Sequence, residues 1–223
     1  MKRLSTFLAL GCIIALSLTS CLKSDENNNN TGLTKAERGQ CFDAIHGEFS
    51  GEMIYPVLNN ELNKYGTDTI DIDWLVDADT MLIVKELPAA AIAGTIADNE
   101  LRTALEEQNP VKDVECYIGF YSLDSYVRFY LAPQKTDYPV FLNGQTHTVS
   151  AVFWAATYSS YSSMGYKELT SGLIAGQLVL GGVYLDNNEN KNYLSSSSTP
   201  AIPLVFATNI SKATSQKTNE KEV

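Results

Sequence analysis

Seven consecutive residues, Ile70-Asp71-Ile72-Asp73-Trp74-Leu75-Val76, begin by placing an apolar side chain at every second position with a carboxylate between. Successive side chains of a strand point to opposite faces, so this period fits a β-strand with one buried and one wet face and does not fit a helix. Similar segments recur along the chain. "MLIVKEL" follows across Asp77 to Thr80 as the second arm of a hairpin, and "VECYIGFYSL" and "YVRFYLA" flank a turn at Leu123-Asp124. "PVFLNGQTHTVSAVFW" contains Asn143-Gly144, a strong hairpin signal because both residues accept positive φ. "GLIAGQLVLGGVYL", the polar turn "DNNENKN" and "AIPLVFAT" bring the expected total to about nine strands. Strands joined by short turns pair antiparallel, so the expected class is mainly β: an up-and-down barrel, or a strongly curved sheet or sandwich. Gly172, Gly176, Gly181 and Gly182 favour the curved forms by easing tight bending.

Two segments depart from this period. Thr34 and Glu37 are spaced as a capping box, and "TKAERGQCFDAIHG" reads as an N-terminal helix stopping at Gly47, with Cys41, Ala44 and Ile45 on its inward face. "LPAAAIAGTIADNELRTALEEQNP" reads as a helical insert near 88–108 that covers one end of the sheet, its second helix capped by Asp98 and ended by Asn109-Pro110.

The chain opens with Lys2-Arg3, then runs from Phe7 to Leu18 in twelve largely apolar residues, and reaches Thr19-Ser20-Cys21. Crossing a bilayer takes about 20 apolar residues, so residues 1–20 read as a cleaved signal peptide. Leu18-Thr19-Ser20-Cys21 resembles the lipobox of bacterial lipoproteins, which implies cleavage before Cys21, a diacylglyceryl thioether on its thiol and acylation of the new amine. Several acyl chains make release into water very unfavourable, at about 0.8 kcal/mol per buried CH₂. Residues 21–33 are then the lipidated cysteine and a tether, since "LKSDENNNNTG" is too polar to repay ordering. Its Ser24-Asp25-Glu26 resembles the export signal of Bacteroidetes surface lipoproteins, which slightly favours the cell surface over the periplasmic face of the outer membrane. Residues 34–208 form one domain, and 209–223 are a polar tail.

Loss of residues 1–20 removes Lys2 and Arg3 and takes the net charge from −10 to −12. That balance disfavours nucleic acid, which is held by cationic patches. Membrane contact is therefore assigned to the lipid on Cys21, and the remaining partner is a protein or a glycan. Cys41 and Cys116 remain after Cys12 leaves with the signal and Cys21 takes the lipid. Both should face inward, and in an exported protein they are candidates for a disulfide if their geometry allows.

No catalytic motif is present, and the expectation is a protein that is not an enzyme, without metal or other cofactor. His46 and His147 are the only histidines, and nothing in the sequence pairs them. Asp186 to Asn190 begins like a calcium loop but has Lys191 where the sharp turn needs glycine and Ser197 where the loop ends in glutamate. Asp71 and Asp73 share a strand face, as a glycosidase pair would, but read as a solvated edge. Tyr158, Tyr161 and Tyr166 gather in "TYSSYSSMGY" as candidate contacts for a sugar ring or a protein partner, because tyrosine offers a flat apolar face with a polar tip. Thr69 and Thr80 lie in Asp-Thr-apolar tripeptides that fit the Bacteroidetes O-glycosylation sequon, both expected at strand ends.

"LTKAERGQCFDAIHGEFSGEMIYP", "CYIGFYS" and "GGVYLDNNENKNYL" resemble an uncharacterised family of Bacteroidetes lipoproteins, a domain of unknown function. The resemblance implies lipid anchoring and no activity. The functional expectation is a cell-envelope lipoprotein acting as a non-catalytic binding or assembly module. The alternative is a lipocalin-like carrier of a small apolar or glycan-derived ligand. The two differ over whether the interior is open.

Overall fold

The computed structural model describes residues 32–59, 64–77, 81–155, 162–194 and 203–208. The signal segment, Cys21, the tether through residue 31, Thr80, Tyr158, Tyr161 and the tail lie outside the described residues.

Thirteen elements follow one another: α1 (Lys35–Ile45), β1 (Gly47–Asn59), β2 (Lys64–Val76), β3 (Met81–Pro88), α2 (Ala90–Ala93), α3 (Asn99–Gln108), β4 (Val111–Leu123), β5 (Tyr126–Pro133), β6 (Thr136–Leu142), β7 (Gln145–Phe153), β8 (Met164–Glu168), β9 (Ile174–Leu185) and β10 (Pro203–Thr208). The expected class is the observed one, with ten described strands in place of about nine. Eight of them, in the order β10-β1-β2-β3-β4-β5-β8-β9, close into an antiparallel barrel through the β9–β10 pairing. Neighbours in the barrel are neighbours in sequence except at β10–β1, where the last strand meets the first, and at β5–β8, where the β6–β7 hairpin leaves the wall. β9 serves two sheets. Its first half pairs with β8 and β10, and its second half runs on to pair with β7.

The barrel interior is filled by the inward residues that the period-two pattern supplies. Trp74, Phe129 and Phe206 are all below 2 % exposed, with Met53, Leu82, Val84, Val114 and Leu131 around them. Phe206 meets Trp74 edge-on at 5.0 Å, and Phe120 meets Phe129 at 6.3 Å. Across the wall one row of inward positions reads Phe129, Gly165, Gly176, Phe206 and Met53. The two glycines leave the space that the phenylalanine rings occupy: a Cβ on Gly165 would stand 2.5 Å from Phe129 Cε2, and one on Gly176 would stand 2.5 Å from Phe206 Cζ. The glycines of β8 and β9 thus let large rings into a narrow barrel.

Both barrel ends are covered. α1 begins at the expected capping box, with Glu37 N–H donating to Thr34 Oγ1 and the Glu37 carboxylate accepting from Thr34 N–H. It ends one residue earlier than expected, at an extended His46, while Gly47 at φ +123° opens β1. Cys41 and Ile45 are fully buried, and Lys167 of β8 donates to the half-buried Ala44 carbonyl. The insert appears as two short helices, with Asp98 capping α3 and Asn109 closing it in the left-handed region. Ile92, Ile96, Leu101 and Leu105 of the insert join the barrel core.

β6 is the open edge of the extended sheet. The register pairs Leu142 with Gln145 across Asn143-Gly144, both at positive φ, which directs the outward backbone groups to Phe141, Pro139 and Asp137. Phe141 N–H donates to Gln108 Oε1 at 2.7 Å, and Phe141 C=O accepts from Gln108 Nε2 at 2.8 Å. Pro139 has no N–H to offer. One side-chain amide and one proline therefore blunt an edge that would otherwise invite pairing with another chain.

Candidate functional site

With the lumen packed, the chemistry-bearing residues lie on the outside, in three groups. The first is a wall of tyrosines on β4, β5 and β8. Tyr121 and Tyr130 stack at 4.2 Å between ring centres, and Tyr126 meets Tyr166 edge-on at 5.7 Å. Arg128 lies over the Tyr126 ring at 5.0 Å and donates to Asp124 at 2.6 Å; burial raises the Asp124 carboxyl, but the Arg128 bond together with the Tyr126 N–H and the Ser122 hydroxyl outweighs it and holds the carboxyl below its ordinary value. Tyr117 is the open member, 57 % exposed, beside Gly119, whose outer side faces open space.

Of the tyrosines expected as contacts, Tyr158 and Tyr161 lie outside the described residues, and Tyr166 is only 8 % exposed, its hydroxyl pushed up to about 12 by burial. Tyr166 is packed into the wall because β8 is a barrel strand between β5 and β9. The exposed aromatic on this wall is Tyr117. The signal was present in the period-two spacing of Tyr117 and Tyr121, and of Tyr126 and Tyr130.

The second group is a seam in the barrel wall. β2 pairs with β3 only at Trp74–Val84, Leu75–Ile83 and Val76–Leu82. Above this, β3 bulges between Val84 and Leu87, with Glu86 at φ +48° and its N–H donated to Asp113 Oδ1 at 2.8 Å. The bulge turns β3 away from β2, leaving a recess of about 170 Å³ lined by Asp71, Ile72, Asp73, Lys85 and Glu86. Lys85 reaches Asp113 across β3–β4 at 3.8 Å. Asp71 and Asp73 are exposed on this edge, as expected, and flank the opening. Thr69 is exposed, as a glycan acceptor must be, but it sits well inside β2 and not at its end.

The third group surrounds the turn after β9. Asp186, at φ +51°, takes His147 Nδ1 at 2.7 Å on one oxygen and Thr148 N–H at 2.9 Å on the other. The His147 contact holds the Asp186 carboxyl below the usual carboxylate range. A histidine beside a carboxylate is half of a catalytic triad, but the neighbouring Ser150 hydroxyl donates to Asp137 at 2.6 Å, not to His147. His46 bonds the Asp43 carbonyl of its own helix and stacks on Phe42. Among the described residues no group of His, Cys, Asp and Glu is arranged to hold a metal ion.

Cys41 and Cys116 are both buried, as expected, but in this structure they are two free thiols and not a disulfide. Burial pushes the Cys116 thiol far above its ordinary value, and that of Cys41 rises for the same reason.

Fold and surface together define a closed, side-chain-filled antiparallel barrel with tyrosine-rich and acidic outer walls. The family described as Domain of unknown function (DUF4840) matches residues 44–185, and the chain belongs to it. The match runs from the last turn of α1 to the end of β9, so the closing strand β10 lies beyond it. No curated protein and no solved structure matches the chain.

Proposed function

We infer that this chain is an outer-membrane lipoprotein, anchored through Cys21, whose barrel binds a protein or glycan partner on its outer surface without catalysis. The observation that carries the binding mode is the packed lumen. Trp74, Phe129 and Phe206 occupy the axis where a carrier would need about 300 Å³ for a ligand. Both barrel ends are occupied by α1 and by the insert, so the surface left for recognition is the outer wall. Anchoring is supported by Leu18-Thr19-Ser20-Cys21 and by the polar run that follows it.

One observation favours the carrier reading. Trp74 Nε1 is buried with no hydrogen-bond partner among the described residues, and it would suit a small polar guest. The rings around it leave that guest little space.

The test is made on protein extracted from its own membrane. Intact mass should equal residues 21–223 plus acyl chains, and Cys21→Ser should leave an uncleaved precursor without them. A mature, non-acylated protein in the soluble fraction overturns the anchoring. Photo-crosslinkers at Tyr117 and at Asp73 should trap a partner in intact cells, whereas a small molecule co-purifying stoichiometrically with the barrel would restore the carrier.

A further inference from the structure

Among the described residues the seam between β2 and β3 is an incomplete sheet, and its register shows which backbone groups face no partner strand. Asp77 N–H donates to the Met81 carbonyl, so hydrogen-bonded positions on β2 toward β3 are Asp77, Leu75 and then Asp73. The pairing stops at Trp74–Val84, before Asp73 is reached. On the other side β2 continues with β1, where Asp73, Asp71, Thr69 and Thr67 oppose Ser50, Glu52, Ile54 and Pro56. These alternate residues therefore aim their N–H and C=O groups away from β1, those of Asp71 and Asp73 at the recess, while the Thr69 N–H is already taken by Asp68 Oδ1 at 2.8 Å. Four such positions span a strand of about seven residues.

A free strand edge is a template for a further strand. Elsewhere the fold blunts its edge, since Gln108 and Pro139 cover β6. At β2 the opening is instead held apart by a bulge whose Glu86 adopts a conformation that L-residues disfavour. The side chains choose the occupant. Asp71, Asp73 and Glu86 line the recess, and Lys85, the single cation among the lining residues, lies beside Asp113. Ile72, 5 % exposed, forms the apolar floor.

We propose that the β2 edge at the β2–β3 seam is a strand-addition site for an extended, basic segment of a protein partner. Its backbone would pair with Thr67 to Asp73, its lysines or arginines would face Asp71, Asp73 and Glu86, and its alternate apolar side chains would reach toward Ile72. This rests on the outer-wall binding reading and assigns that function a place and a partner chemistry.

The probe is an alternating Lys-Val heptapeptide added to the acylated full-length protein in detergent. The peptide should slow amide exchange in residues 66–73 and leave the tyrosine wall unchanged. Binding should weaken as salt is raised, because the attraction is screened. Asp71→Pro removes an outward N–H without touching the β1 ladder and should weaken binding roughly tenfold, the worth of a backbone hydrogen bond plus a charge. Asp71→Asn with Asp73→Asn keeps the backbone, so binding should persist more weakly and lose most of its salt dependence. The exchange measurement on the unaltered protein stands even if Asp71→Pro does not fold. Absence of protection in β2, or an Asp71→Pro protein that melts normally and binds equally well, overturns the proposal. A cellular partner trapped at Tyr117 but never at Asp73 also overturns it while sparing the outer-wall reading, and no partner trapped at either position overturns both.

Discussion

The glycine row in the barrel wall can be tested through the coupling of Gly176 to Phe206. A Cβ at position 176 would lie 2.5 Å from Phe206 Cζ, where carbon atoms prefer about 3.5–4 Å, so the ring has to retreat by more than 1 Å. It has little room to do so, being 1 % exposed and pinned edge-on by Trp74. Gly176→Ala should therefore cost about 1–3 kcal/mol, the range for overpacking a filled core. Phe206→Leu removes Cζ and should itself cost about 1–2 kcal/mol in lost burial. In the Phe206→Leu background the obstacle is gone, and Gly176→Ala should become neutral or gain about 0.5 kcal/mol from the stiffer unfolded chain. The expected coupling is thus about 1–3 kcal/mol, measured by urea unfolding of the four proteins followed by tryptophan fluorescence. Additivity within about 0.5 kcal/mol would refute the claim that these glycines exist to admit the rings.

Gln108→Ala should open the Phe141 N–H and C=O at the sheet edge to water, costing about 0.5–1.5 kcal/mol and producing concentration-dependent self-association in light scattering; a monodisperse, equally stable variant would show that the edge needs no cover. Because the folded Asp186 carboxyl lies below its unfolded value near about 4, its contribution is complete above that pH and is lost as pH falls through the lowered value. Asp186→Asn should lower stability at neutral pH and flatten the loss of stability below about pH 4, so that variant and parent converge in acid, and an unchanged acid limb would argue against the His147 contact. Cys41 and Cys116 should resist a thiol reagent in the native protein and both react after denaturation without reductant; failure to react then would mean they are bonded.

Much of the barrel was legible because a strand's period is local. Ile70, Ile72 and Trp74 announce an inward face whatever they pack against, and Asn143-Gly144 announces its hairpin through the conformations these residues accept. The helix caps at Thr34 and Asp98 are likewise contained within four residues. The candidate sites were less legible. Tyr166 reads as a candidate contact in a serine-rich stretch because nothing nearby in sequence shows that β8 lies between β5 and β9. Tyr117 looked like an ordinary strand position, since its exposure depends on Gly119 and on the absence of cover from other elements.

The sequence by itself determined the strand period, the main hairpins, the helix starts, the acidic charge and the cysteine expected to carry lipid, all properties of short segments or of composition. Only the tertiary structure decided that β9 serves two sheets, that Gly165 and Gly176 face Phe129 and Phe206, that Gln108 covers Phe141 from 33 residues away, and that β2 parts from β3 above Trp74. Each of these depends on which strands become neighbours and where their pairing stops. That choice belongs to the closing of the whole barrel, and no local run of residues encodes it.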